Sequence, residues 1–154
     1  MSSVFGSYSD TPISDNEIFL HRILLRPNCF VPNLISGEHE IKDAALIFDE
    51  DGMSVHSDMI REELGVPRSD LVNWDERTVI EFPASAADAE GLGQIVRDFD
   101  ADDPLMGDAH GLVQGTAGPK RPAREHRKAI RKSIVRRSNV IGEDPNLNGT
   151  ARAK

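Results

Sequence analysis

Apolar positions along the chain fall into short runs separated by Asp, Gly, Pro and Ser, and this spacing predicts strands and short helices instead of long regular elements. The first run, Ile18 to Leu25, is closed by Arg26-Pro27-Asn28. It is short for a helix and reads as a largely buried strand interrupted by Arg22. Residues 29–43 contain Pro32, Asn33 and Gly37 and read as loop, after which Ala44 to Phe48 is expected as a second strand. Asp49-Glu50-Asp51-Gly52 then turns the chain, because Asp bonds its own backbone and Gly accepts positive φ, and Met53 to His56 follows as a third strand.

Ser57 offers the side-chain oxygen of a helix N-cap and Asp58 a charge suited to a first turn. A short helix is therefore expected from Ser57 to Leu64, stopped by Gly65 with Pro67 beyond it. Another short helix is expected over 69–74. Arg77 to Phe82, β-branched and aromatic and ending at Pro83, reads as a strand, and Ser85 to Gly91 as a helical turn. Residues 95–99 and 109–115 read as strands flanking a loop at 100–104 too charged to be buried unpaired. Short strands mixed with short helices, without regular β-α-β alternation, define an α+β domain with a small, mainly antiparallel sheet.

The most regular pattern comes last. After a linker at 115–119, Ala123, Ile130, Ile134 and Ile141 recur near helical spacing with Val135 beside them, predicting an amphipathic helix over 122–140. Lys120, Arg121, Arg124, Arg127, Lys128, Arg131, Lys132, Arg136 and Arg137 lie on it or just before it, against the single Glu125.

Charge divides the chain along the same line. Residues 1–117 hold 7 Lys and Arg against 23 Asp and Glu, whereas residues 118–154 hold 11 against 3. The expected organisation is a flexible arm over 1–16, an acidic α+β body over 17–117, a linker and basic helix over 118–141, and a disordered tail over 142–154. A length of 154 residues fits one such domain with tails. No run reaches the roughly 18 apolar residues of a membrane span, and the N-terminus lacks a secretory pattern, so a cytoplasmic protein is expected. Cys29, the single cysteine, forms neither an internal disulfide nor a thiolate metal site.

Nine cations on one segment point to a non-enzymatic interaction protein whose basic helix reaches outward to nucleic acid or to an acidic protein surface. The bland alternative docks that helix on the acidic body, or on a second copy of the chain, through Ile130, Ile134 and Ile141, and leaves its cations solvated. A further alternative makes the acidic body a decoy of phosphate charge that inhibits a basic partner. The stripe carries no Trp or Phe, which argues against a membrane surface.

The acidic loop holds Asp98, Asp100, Asp102, Asp103 and Asp108, with His110 after them, and alternate oxygen ligands of this kind suit Ca²⁺ or Mg²⁺. The EF-hand pattern is nevertheless broken at Asp103, Met106 and Ala109, so a solvated loop without metal is expected. Gly91-Leu92-Gly93 and Gly107 form no phosphate loop, and no cofactor is expected. Of the five histidines, His21, His56 and His110 fall on predicted strands and His39 and His126 in polar surroundings, without any metal-binding pair. The enzymatic alternative, a small transferase or hydrolase, uses Arg22, Ser54, His56 and His110.

The order Leu20-His21-Arg22, Ala45-Leu46-Ile47-Phe48, Ser54-Val55-His56 and Ala109-His110-Gly111 resembles a group of short bacterial and phage-type proteins with no established activity. The resemblance covers residues 18–115 and implies a compact α+β domain. Arg22 and Ser54 are also similar to the opening Arg and later Ser of ADP-ribosyltransferases. That likeness implies NAD phosphates on Arg22, Ser54 on a supporting strand, and Glu81 as the one predicted strand Glu for the catalytic position, where it arrives without its usual companion.

Overall fold

Strand-forming runs and helices follow one another in the order β1 (Ile18–Leu24), β2 (Phe30–Pro32), β3 (His39–Ile41), β4 (Met53–Ser57), α1 (Asp58–Leu64), β5 (Arg77–Pro83), α2 (Ser85–Asp88), β6 (Gly93–Arg97), β7 (His110–Gly115), α3 (Arg124–Arg137) and β8 (Asn139–Val140). The computed structural model describes residues 8, 10–24, 30–32, 39–41, 46–71 and 77–140. One antiparallel sheet runs in the order β6-β7-β4-β1-β5-β8, with β8 adding two residues at its edge. The chain is an α+β domain, with an antiparallel sheet, short helices and a C-terminal helix.

Side chains alternate across each strand, so the sheet has two faces. Phe19, Ile23, Met53, Val55, Ile80, Phe82 and Val113 point to one of them, where Ala86 and Ala87 of α2 and Ile130 and Ile134 of α3 cover them. Leu20 and Val79 point the other way, against Ile60 of α1, Val66, Met106 and Ala109. α1 follows its sequence signals closely. Ser57 Oγ accepts from Ile60 N at 3.3 Å, and Gly65 closes the helix at φ 75°, a left-handed conformation that costs glycine little. Gly93 serves another need, because a Cβ there would overlap Ala87 O and the Ile130 side chain. Only a hydrogen at this position lets α2 and α3 lie this close to β6.

The packing alters the expected organisation at both ends. α3 is no outward-reaching appendage: Ile130 and Ile134 are fully buried in the same cluster as the body. Ile141, Cys29, Trp74 and the tail at 142–154 lie outside the described residues. Residues 10–16, expected to be flexible, are fastened down. Arg97 donates to Thr11 O at 2.7 Å and Pro12 O at 3.2 Å, Ser85 N donates to Asp15 O at 3.0 Å, and Ile13 packs on the core. Arg97 also grips Glu17 at 2.8 Å and 3.0 Å, both side chains being 5% exposed, while Ser57 Oγ donates to the same carboxylate at 2.7 Å.

Several elements differ from the sequence expectation. The expected loop at 29–43 contains β2 and β3, paired Phe30↔Ile41 to Pro32↔His39, strands too short for periodicity to reveal. The expected strand at 44–48 is not one over Leu46 to Phe48. Leu46 and Phe48 are buried and Ile47 exposed, as a strand would have them, but their backbone pairs with no strand. β6 starts at Gly93 and ends at Arg97, leaving Phe99 in the loop. α3 starts at Arg124, two residues past Pro122, and Val140 joins β8 opposite Ile80 instead of extending the helix.

Removing the Arg97 side chain leaves a buried carboxylate without its cation. Arg97→Ala is expected to lower unfolding stability by about 3–5 kcal/mol, and Ile130→Ala by about 2–5 kcal/mol, both read from urea unfolding. A loss below about 1 kcal/mol for Ile130→Ala would show that α3 is not part of the core.

Candidate functional site

Two groups of polar side chains stand on opposite faces of the sheet. On the α3 face, the nine cations fall into two sets. Arg131 Nε donates to Leu46 O at 2.7 Å and its guanidinium lies 5.4 Å from the Phe48 ring centroid, while Arg121 Nε donates to Phe48 O at 3.3 Å. These two guanidinium groups satisfy the backbone that the missing strand would have paired. Arg127 Nη1 turns back to Pro122 O at 2.8 Å. By contrast, Lys120, Arg124, Lys128, Lys132, Arg136 and Arg137 are exposed, and among the described residues no carboxylate forms an ion pair with any of them. Lys132, Arg136 and Arg137 border a groove of about 530 Å³ whose other wall, from the arm and α2, carries Asp15, Asp88 and Glu90.

On the other face, β4 and β7 pair Ser54↔Leu112 and His56↔His110, which sets Ser54 and His110 diagonally across the ladder. Ser54 Oγ lies 2.6 Å from His110 Nε2. His110 Nδ1 lies 2.8 Å from Asp98 O and 3.1 Å from Asp98 Oδ2. Both of those partners are acceptors, so Nδ1 carries the hydrogen, Nε2 is the bare nitrogen, and the Ser54 hydroxyl donates to it. His56 stacks edge-on against His110 with ring centroids 5.4 Å apart, and its Nε2 is 3.7 Å from Asp103 Oδ2. His21 points to the core face, yet its Nδ1 donates to Ser54 O at 2.7 Å, just past the last β1–β4 pair, Leu20↔His56. Arg22, two residues beyond Leu20 on β1 and paired with Val79 of β5, is exposed on the same face of the sheet as His56.

Ser54, His56, His110 and Arg22 are thus brought to one sheet face. Asp98 and Asp103 join them from the acidic loop, and no sequence pattern announced which of its carboxylates would do so. The loop is ordered by its own side chains: Asp100 Oδ1 accepts from Asp102 N, and Asp103 Oδ1 from Leu105 N and Met106 N. Among the described residues, no three His, Cys, Asp or Glu side chains converge as metal ligands. Glu81 sits on β5, with β1 between it and β4, and is held by Arg68 at 3.0 Å within a cluster that includes Asp58 and Arg61. Among the described residues no helix is long and apolar enough to cross a membrane.

Fold and sites together define a small α+β protein with a cationic helix on one side of its sheet and a hydrogen-bonded Ser-His-Asp group on the other. No family model matches the chain, nor does any curated protein or solved structure.

Burial pushes His21 and His56 down to about 4. For His21 the Ser54 carbonyl opposes this and Arg22 adds to it; for His56, His110 and Arg22 add to it and Asp103 opposes. Each imidazole stays neutral in the folded chain while an unfolded one takes up a proton near pH 6.5. Stability is therefore complete above that value and falls as pH drops from about 6.5 to about 4, by on the order of 3 kcal/mol per histidine. Asp58, held below the usual carboxylate range by Arg68 and Arg61 against the effect of burial, loses its contribution only at lower pH. Urea unfolding at pH 7 and at about pH 4.5 measures the loss; a flat profile across that window would show that the two rings are not held neutral.

Proposed function

We propose that the protein binds nucleic acid through the exposed face of α3, the phosphate backbone lying along Arg124, Lys128, Lys132 and Arg136 with Arg137 beside them. One observation carries this reading: the helix is fixed to the core by Ile130 and Ile134 while these cations have no carboxylate partner among the described residues. Anchoring removes the entropy cost of ordering the helix on binding, and the missing partners leave its charge available. Successive cations four residues apart rise about 6 Å each. The row from Arg124 to Arg136 therefore spans about 18 Å, roughly five base steps at 3.4 Å. Arg121 and Arg131 hold the 46–48 backbone and do not belong to this surface.

The acidic body shapes the encounter. Its carboxylates repel phosphate from the remaining surface, Asp15, Asp88 and Glu90 across the groove included, so the polymer lies along the outer face of α3, and the contacts are to backbone charge without a base-reading element.

Fluorescence anisotropy with a short labelled duplex at about 50 and about 200 mM salt tests the reading. Five neutralised phosphates predict a slope of log affinity against log salt near −4.5, and a shallower one near −3.5 on a single strand. The triple variant Arg124→Glu, Lys128→Glu, Lys132→Glu is expected to abolish binding without a change in melting temperature. Equal affinity at both salts, or in the triple variant, overturns the proposal. So does saturable binding of polyglutamate without binding of the duplex, which assigns the face to an acidic protein.

A further inference from the structure

We infer that Ser54, His110 and Asp98 form a catalytic triad that hydrolyses short-chain carboxylic esters, on the sheet face opposite α3. This activity goes beyond nucleic-acid binding and does not depend on it, because none of the three residues belongs to α3.

The inference stands on directionality as much as on proximity. A Ser beside a His is common in sheets, and a hydroxyl can serve such a pair as donor or acceptor. Here Asp98 removes the choice: its carbonyl at 2.8 Å and carboxylate at 3.1 Å both demand the proton on Nδ1, which leaves the Nε2 lone pair facing Ser54 Oγ at 2.6 Å. Nucleophile, base and orienting group therefore stand in the order that acyl transfer requires, and Ser54 is exposed to an incoming substrate. Leu112, the cross-strand partner of Ser54, and Val96, the partner of Leu112, lie on the same face as Ser54. Leu112 is buried and Val96 half-buried, so the apolar surface they leave beside Ser54 is small and suits only a short acyl chain. Arg22 is exposed on β1, on the same face of the sheet and with no ion-pair partner among the described residues, and adds positive charge to the side on which an oxyanion would develop. His56, kept neutral by burial, does not oppose the imidazolium that must form on His110.

The chemistry balances without a co-reactant other than water. Ser54 Oγ attacks the ester carbonyl carbon as its proton passes to His110 Nε2, giving a tetrahedral oxyanion. Collapse breaks the bond to the leaving oxygen, which takes the proton from Nε2 and departs as the alcohol, with Ser54 acylated. Water then attacks the acyl carbon, yields its proton to Nε2, and the second collapse returns that proton to Ser54 Oγ and releases the carboxylic acid.

A fluorophosphonate probe, read by intact mass and peptide mapping, tests this together with turnover of p-nitrophenyl acetate. The expected result is one adduct per chain, on Ser54, with probe labelling and p-nitrophenyl acetate turnover lost in Ser54→Ala and His110→Gln while melting temperatures stay unchanged. Asp98→Asn keeps the backbone carbonyl that fixes the tautomer and loses only the charge-assisted bond, so a rate loss of about tenfold is expected. The α3 triple variant should label and turn over as the parent chain does, so that failure of one proposal is separable from failure of the other. No adduct on the folded parent chain, an adduct at another residue, or parent-level hydrolysis by Ser54→Ala overturns the inference.

Discussion

The β4–β7 register is the constraint on which the rest of the structure depends. Pairing Ser54 with Leu112 and His56 with His110 sends Met53, Val55 and Val113 into the core beneath α2 and α3, and Ser54, His56 and His110 to the opposite face. A slip of one residue would exchange the two sets, turning a serine and two imidazoles into the apolar core beneath α2 and α3 and turning Met53, Val55 and Val113 out of it. The apolar half of the pattern therefore fixes the polar half: the position of Ser54 against His110 follows from the burial of its neighbours.

The same logic explains why the basic segment does not fold its charge away. Its position is decided by Ile130 and Ile134, for which Gly93 clears the space, and hydrophobic burial outweighs anything exposed ion pairs offer, since those contribute about 0–1 kcal/mol each. Once the apolar stripe sets the helix rotation, each cation meets whatever lies opposite. Arg131 and Arg121 meet the unpaired carbonyls of Leu46 and Phe48, and a guanidinium replaces a missing strand there. Lys128 meets solvent, and Lys132 borders the groove opposite Asp15, Asp88 and Glu90.

Local signals were legible in the sequence wherever a single residue type has a mechanical job. Ser57 as N-cap, Gly65 as left-handed stop, the turn ahead of Gly52 and the apolar run of β1 all stand where those residues predicted them. Tertiary decisions were not legible. Leu46 to Phe48 has strand composition and no partner, because α3 takes the place beside it, and residues 10–16 have loop composition yet are pinned by Arg97 from β6, more than 80 positions away. The candidate site divides the same way. Ser54, His56, His110 and Arg22 were visible as residue types on predicted strands, whereas Asp98 needed the β6–β7 hairpin to carry the start of the acidic loop back beside His110.

That loop also changes how the acidity of the body is to be understood. A run of Asp reads as solvated charge or as an ion site, but here the carboxylates have structural work: Asp100 and Asp103 cap backbone amides, and Asp98 orients an imidazole. Aspartate suits these tasks because its short side chain reaches nearby backbone groups with little rotamer entropy to lose. The negative charge that follows disfavours a polyanion on that side of the sheet. One composition thus gives the two faces opposite electrostatic preferences, with the α3 cations as the exposed positive counterpart.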